Sequence, residues 1–157
     1  LGGKPLICWA IDLALEINLK KNILVTSDDH EILSIAKKYE ADDVIVHRRP
    51  DELATDEAST VLVLINALEK AFSVGYNPST IILLQPTSPL RTIKDVENAF
   101  EMYSDSDKFQ TVVSVSKVEH PSKWIGQIDK EGYLTGIDTN GKRSQDYDNE
   151  YRLNGAV

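Results

Sequence analysis

Ile23-Leu24-Val25-Thr26-Ser27-Asp28-Asp29 is the stretch on which the fold of this chain turns. Ile23-Leu24-Val25 is short and wholly apolar, the pattern of a strand buried on both faces. Thr26-Ser27-Asp28-Asp29 then offers side chains that accept hydrogen bonds from the first free N–H groups of a helix. Glu31 to Tyr39 supplies that helix, with Ile32, Ile35 and Ala36 on one face, and Val44-Ile45-Val46 returns as a second strand. Upstream, Leu6, Ile7, Ala10, Leu13, Ala14 and Ile17 recur at helical spacing behind Pro5, a residue tolerated in a first turn.

Downstream, His47 to Glu57 reads as a polar loop and Ala58 to Phe72 as a longer helix. Ser73 to Ser79, with Gly75 and Pro78, breaks the chain before a third apolar run, Ile81-Ile82-Leu83-Leu84. Thr92 and Asp95 resemble a capping box opening a helix to about Tyr103, and Thr111 to Ser116 reads as a fourth strand. Strands alternating with helices predict an α/β fold whose parallel sheet is covered on both faces. Residues 117 to 152 differ. Ile125 to Asp129 and Tyr133 to Ile137 flank Lys130-Glu131-Gly132 as a hairpin, and Asn140-Gly141 is another turn signal. This polar, β-rich insertion is expected to stand off the main sheet.

The 157 residues suffice for one domain. With 41% hydrophobic residues the chain can bury a sizeable core, and 17 basic against 25 acidic residues leave a net charge of −8. Such a balance argues against a general nucleic-acid binder, which needs a basic face, yet allows a local basic pocket. Cys8 is the only cysteine, so no internal disulfide can form. No apolar run reaches the ~20 residues of a membrane span, and no signal-peptide pattern is present. A soluble, cytoplasmic protein is the expectation. Leu1-Gly2-Gly3-Lys4-Pro5 reads as a loop entering a helix and Asn154-Gly155-Ala156-Val157 as the start of a strand, so the chain reads as part of a longer protein.

Open α/β sheets bind ligands at the carboxyl ends of their strands. Asp28-Asp29 follow the first strand and are candidates for a magnesium ion. A helix cap explains Asp29 better, and Asp28 stays open. His47, Arg48 and Arg49 follow the second. Its arginines suit phosphate or a base edge, or equally a solvated loop and partners for Asp51 and Glu52. Gln85 ends the third, where one amide both donates and accepts. Pro86-Thr87-Ser88-Pro89-Leu90-Arg91 then stiffens the loop, although a proline-rich turn would read the same way on physics alone. Lys142, Arg143 and Arg152 make the late segment locally basic, which suits an anion site or a solvated loop equally. His30, His47 and His120 lack metal-ligand spacing, so neither a zinc site nor a Cys–His nucleophile is expected. No P-loop or dinucleotide glycine motif is present. An acidic pair with a later Ser116-Lys117 is similar to receiver domains. Those require an Asp ending a central strand, and here the strands end in His47 and Gln85.

Leu83-Leu84-Gln85-Pro86-Thr87-Ser88-Pro89-Leu90-Arg91-Thr92 closely resembles the hallmark of acylneuraminate cytidylyltransferases, the CMP-sialic acid synthetases. Arg49-Pro50-Asp51-Glu52-Leu53-Ala54-Thr55-Asp56 with Ala58-Ser59 resembles the family's nucleotide-side loop. Val112-Val113-Ser114-Val115 with His120-Pro121-Ser122-Lys123 resembles its fourth strand and following loop, and Tyr151-Arg152-Leu153-Asn154-Gly155-Ala156-Val157 its R-x-N-G-A strand. The resemblance spans essentially the whole chain.

It implies a single Rossmann-like nucleotidyltransferase domain over 1–157, a three-layer sandwich of the nucleotide-diphospho-sugar transferase type. It also implies that 117–152 is a dimerisation insertion, and so a homodimer. The implied reaction transfers CMP from CTP to the anomeric hydroxyl of a nine-carbon 2-keto sugar acid, with pyrophosphate leaving and Mg2+ required. By match, Arg49, Ala58 and Thr60 lie beside the nucleotide. Gln85, Ser88, Lys123, Arg143, Arg152 and Asn154 serve the sugar acid or phosphates, and Gln85, Lys123 and Arg152 carry the catalytic roles. Arg143 stands one position out of the family register, and the proline of that stretch is absent. The family's metal ligands are expected beyond Val157. The sugar is N-acetylneuraminic acid by this resemblance, legionaminic acid being the alternative. A catalytically silent dimeric scaffold is the rival of another class.

Overall fold

The computed structural model describes residues 1–105, 111–138, 143 and 147–155. Pro5 stands at the N-cap of α1 (Leu6–Glu16). Strands β1 (Ile23–Ser27) and β2 (Val44–Arg48) pair in parallel, in register from Ile23↔Val44 to Ser27↔Arg48. Between them run α2 (His30–Ala36) and a 3-10 turn, Lys37–Asp42. The Asp29 carboxylate caps α2, accepting from the N–H groups of Glu31 at 2.7 Å and Ile32 at 3.0 Å. The turn ends at Asp43, whose φ of 59° is left-handed, a conformation Asp adopts more readily than most residues.

Ile11, Val25, Ala36 and Val44 form the buried centre, with Ile7, Leu15, Ile23, Tyr39 and Val46 packed around them. Val44 and Val46 therefore face α1 and α2. Successive strand residues point to opposite faces, so His47 faces away. There its Nε2 meets the Asn66 side chain at 2.9 Å, on α3 (Thr60–Ser73). Helices thus lie on both faces of the β1–β2 ladder, as the apolar strand runs predict.

Further along are α4 (Ile93–Ser104), β3 (Val115–Lys117), β4 (Gln127–Ile128), β5 (Leu134–Thr135) and β6 (Tyr151–Leu153). The Thr92/Asp95 capping box of α4 is formed: the Thr92 hydroxyl accepts from Asp95 N–H at 3.2 Å, and the Asp95 carboxylate accepts from Thr92 N–H at 2.8 Å. β4 and β5 make the anticipated hairpin, Gln127↔Thr135 and Ile128↔Leu134. Asn140-Gly141 lies outside the described residues.

Four expectations change. Residues 81–84 form no strand, and Ile81 and Leu83 are 46% and 39% exposed. Continuous hydrophobicity marks a segment that favours cover on both faces, but it does not supply a ladder partner, and no described strand lies against this one. The fourth strand shrinks to β3, which pairs antiparallel with β6 rather than joining the parallel ladder: Val115↔Leu153, Ser116↔Arg152, Lys117↔Tyr151. The helix expected from Ala58 starts at Thr60, because Ala58 N–H is taken by the Thr55 carbonyl in a turn, 3.0 Å away. The helix expected to reach Tyr39 tightens to 3-10 geometry after Ala36. Among the described residues no helix is long and apolar enough to cross a membrane.

Candidate functional site

The parallel register sets the first group of side chains. Ser27 opposes Arg48, so the residues that follow the two strands, Asp28 and Arg49, emerge side by side. The Arg49 guanidinium donates to the Asp28 carboxylate at 2.5 Å, and Arg49 N–H closes on the Ser27 carbonyl at 2.9 Å. This hydrogen bond and the adjacent positive charges hold the Asp28 carboxyl below its ordinary value. Arg49 Nε is buried and has no hydrogen-bond partner among the described residues. Arg48 turns outward, donating to His30 Nε2 at 2.6 Å and Asp51 at 3.1 Å, the loop pairing that the sequence left open for it. Thr60 opens α3 with its residue surface exposed, and Ala58 is half-buried.

A second group gathers around Gln85. Two successive turns carry the loop: Ser88 N–H donates to the Gln85 carbonyl at 3.2 Å and Arg91 N–H to the Ser88 carbonyl at 3.4 Å. Pro86 and Pro89 occupy the second position of each turn, where their fixed φ is pre-set. Ser88 Oγ donates to the Asn154 carbonyl at 3.4 Å. The Asn154 side chain accepts from Ser114 Oγ at 2.6 Å and donates to Ser116 Oγ at 2.9 Å. These bonds place Ser114, Ser116 and Asn154 on one face of the β3–β6 pair. Arg152, opposite Ser116 and two residues from Asn154, belongs to the same face. Gly155, at φ +68°, comes so close to Gln85 that a Cβ there would stand 2.5 Å from Oε1.

Arg91 underlies this group. It is 8% exposed, and its Nη2 donates to the Gln85 carbonyl at 2.9 Å and the Gly155 carbonyl at 3.5 Å. Burial lowers its affinity for the proton, and the Asp95 charge partly offsets that. The side chain stays charged, as arginine does throughout the accessible range.

Lys123 sits in a third group. Its Nζ lies 6.0 Å from the Tyr147 ring centroid, and its carbonyl accepts from Asp138 N–H at 2.8 Å. Trp124 meets Tyr147 edge-on at 6.3 Å. Glu150 accepts from Ser122 N–H at 2.7 Å, which with the Lys123 charge lowers its carboxyl below the ordinary value. Ser122, Lys123 and Trp124 are thereby tied to the segment that leads into β6 and Arg152. Arg143 is an exposed residue. An open groove of about 320 Å3 runs beside this group, lined by Lys117, Glu119, Tyr147 and Glu150 among others. Another of about 350 Å3 lies by His30, Lys37 and Arg48, and neither is lined by Gln85.

The structure thus brings Gln85, Ser88, Asn154 and Arg152 together, links Lys123 to the approach to β6, and gives Arg49 a carboxylate partner. No hydrogen bond or ion pair joins Asp28 or Arg49 to the Gln85 group. Sequence reasoning missed Arg91, Ser114 and Ser116. The two serines were visible as an i, i+2 pair in a strand, which share a face. Arg91 stands in the stretch that resembles the family hallmark, but its burial under the loop is decided by distant backbone and had no local signal. Asp29 is spent on its cap and Asp28 on Arg49, and among the described residues no cluster of three or more His, Cys, Asp or Glu is placed to hold a metal ion.

Residues 1–141 match the cytidylyltransferase family as a whole. The chain belongs to that family. This cytidylyltransferase chain is 34% identical over 155 residues to the N-acylneuraminate cytidylyltransferase of Escherichia coli, covering 98% of this chain and 35% of the relative. It is 39% identical over 164 residues to the protein of the same name from Streptococcus agalactiae serotype V, covering all of this chain and 37% of the relative. It is 33% identical over 160 residues to the CMP-N,N'-diacetyllegionaminic acid synthase of Legionella pneumophila, covering all of this chain and 67% of the relative. The cytidylyltransferase chain therefore spans about a third of the length of the first two.

Proposed function

We propose that the protein carrying this chain transfers CMP from CTP to the anomeric hydroxyl of N-acetylneuraminic acid. The observation that carries this reading is the convergence of Gln85, Ser88, Asn154 and Arg152, from segments that resemble the family's sugar-side motifs, in a chain similar throughout to N-acylneuraminate cytidylyltransferases. The hydroxyl oxygen bonds to the α-phosphorus, the bond from that phosphorus to the pyrophosphate oxygen breaks, and the hydroxyl proton is released. Such transfers rest on positioning and on neutralising charge.

Each residue then has a role. The Gln85 amide orients sugar hydroxyls. Arg152 and Lys123 neutralise the sugar carboxylate or the phosphates through charge-assisted bonds, with Arg143 as a further cation. Ser88 and Asn154 hold the sugar-side wall. Arg49, Ala58 and Thr60 line the nucleotide side. Magnesium is the proposed metal, and the described residues do not present a ligand set for it. The proposed setting is a Rossmann-like three-layer domain in the cytoplasm, working as a homodimer through residues 117–152.

Legionaminic acid is the second reading, supported by the similarity to the Legionella synthase. Pyrophosphate release by the full-length protein with CTP, magnesium and each sugar acid tests both. Release that needs CTP and N-acetylneuraminic acid is expected. Release with legionaminic acid alone keeps the reaction and changes the substrate, and silence with both favours the scaffold.

A further inference from the structure

We infer that Arg91 is a positioning residue, which sets the Gln85 amide through two backbone carbonyls. The inference rests on the reading of Gln85 as a sugar contact. A cation buried to 8% exposure is costly, and arginines in such places pair with carboxylates or serve a site. Among the described residues Arg91 makes no ion pair. Its Nη2 bonds the Gln85 and Gly155 carbonyls, and Nε has no partner. One guanidinium therefore ties the residue that ends the third apolar run to the residue just beyond β6. On one side the Gln85 side chain meets the bare Cα of Gly155, where a Cβ would collide with Oε1. Gly155 leaves the slot open, and Arg91 fixes its width. Lysine is a poor replacement, because its rotatable ammonium on a flexible stem does not hold its N–H groups in the fixed directions of a planar guanidinium.

The test uses the full-length protein, with sugar-acid and CTP kinetics and the side-chain NH2 resonance of Gln85, assigned by its absence in Gln85→Ala. Arg91→Lys is expected to shift that resonance and to raise KM for the sugar acid roughly tenfold, with KM for CTP unchanged. Gly155→Ala should move the same resonance. Adding Arg91→Lys to Gln85→Ala should cost no more than Gln85→Ala alone, since two changes that act through one group are not additive. An unmoved Gln85 resonance in folded Arg91→Lys overturns the inference, as does a fully multiplicative double variant. If the resonance moves but Gln85→Ala leaves sugar kinetics unchanged, the positioning stands and the sugar-contact reading of Gln85 falls. Where Arg91→Lys fails to fold, Arg91→Gln carries the comparison, and an unmoved resonance there overturns the inference equally.

Discussion

Gln85 lies at a loop junction and is not among the buried core residues, so its amide can be removed without emptying the interior. Gln85→Ala is expected to lower kcat/KM for the sugar acid roughly tenfold, within the worth of one or two hydrogen bonds of about 0.5–1.5 kcal/mol each. Melting temperature should hold, and a large drop would place Gln85 in the fold instead. Arg152→Ala would remove the proposed charge-assisted contact, worth ~1.5–3 kcal/mol, and should raise KM for the anionic substrate accordingly. Unchanged kinetics would reject its role. Asp28 offers a test by pH. Its carboxyl is held below the ordinary value by Arg49, so the pair's stability is complete above the ordinary aspartate range and disappears as pH falls through the folded value. The gap in denaturation midpoint between the parent protein and Asp28→Asn should be constant above about pH 5 and shrink below about pH 4. A gap of equal size at about pH 3 would sink that account.

Among elements, α4 owes its start to the reciprocal Thr92/Asp95 bonds. Thr92→Ala should cost about 1 kcal/mol in chemical denaturation. No loss would mean that packing alone sets the helix start. The helices and the β1–β2 ladder were legible in the sequence because their signals are local: apolar periodicity, a capping Asp29, a capping box. The run 81–84 misled because hydrophobicity reports a wish for cover, while strand identity depends on a partner elsewhere in the chain. The same limit applied to β3, whose partner β6 lies far along the sequence. At the candidate site, Gln85 and Arg152 were candidates by position and charge, but only likeness to a family favoured them over a plain loop, and Ser88 and Asn154 were assigned by that likeness alone. Their convergence, and the arginine beneath them, depended on backbone contacts that no spacing announces.

For the molecule as a whole, the hairpin stands out. Ile125, Ile128, Tyr133 and Leu134 are 61–74% exposed, more apolar surface than a solvated hairpin needs. Gly126 permits the hairpin to close, since a Cβ there would run into the Thr135 carbonyl. Deleting residues 125 to 137 should therefore weaken the proposed homodimer in analytical ultracentrifugation, and a dimer of normal affinity would exclude this surface from the interface. Among the hydrogen bonds of the described residues, those around Gln85 span the longest separations in sequence. Asp28 and Arg49 are 21 residues apart, whereas Ser88 reaches Asn154 over 66 and Arg91 reaches Gly155 over 64. Closing long loops is slower and entropically dearer than closing short ones. The β1–α2–β2 unit is thus expected to form early, and the group around Gln85 to assemble last and open first. Activity should accordingly vanish at denaturant concentrations that leave the ladder's amides still protected from hydrogen exchange.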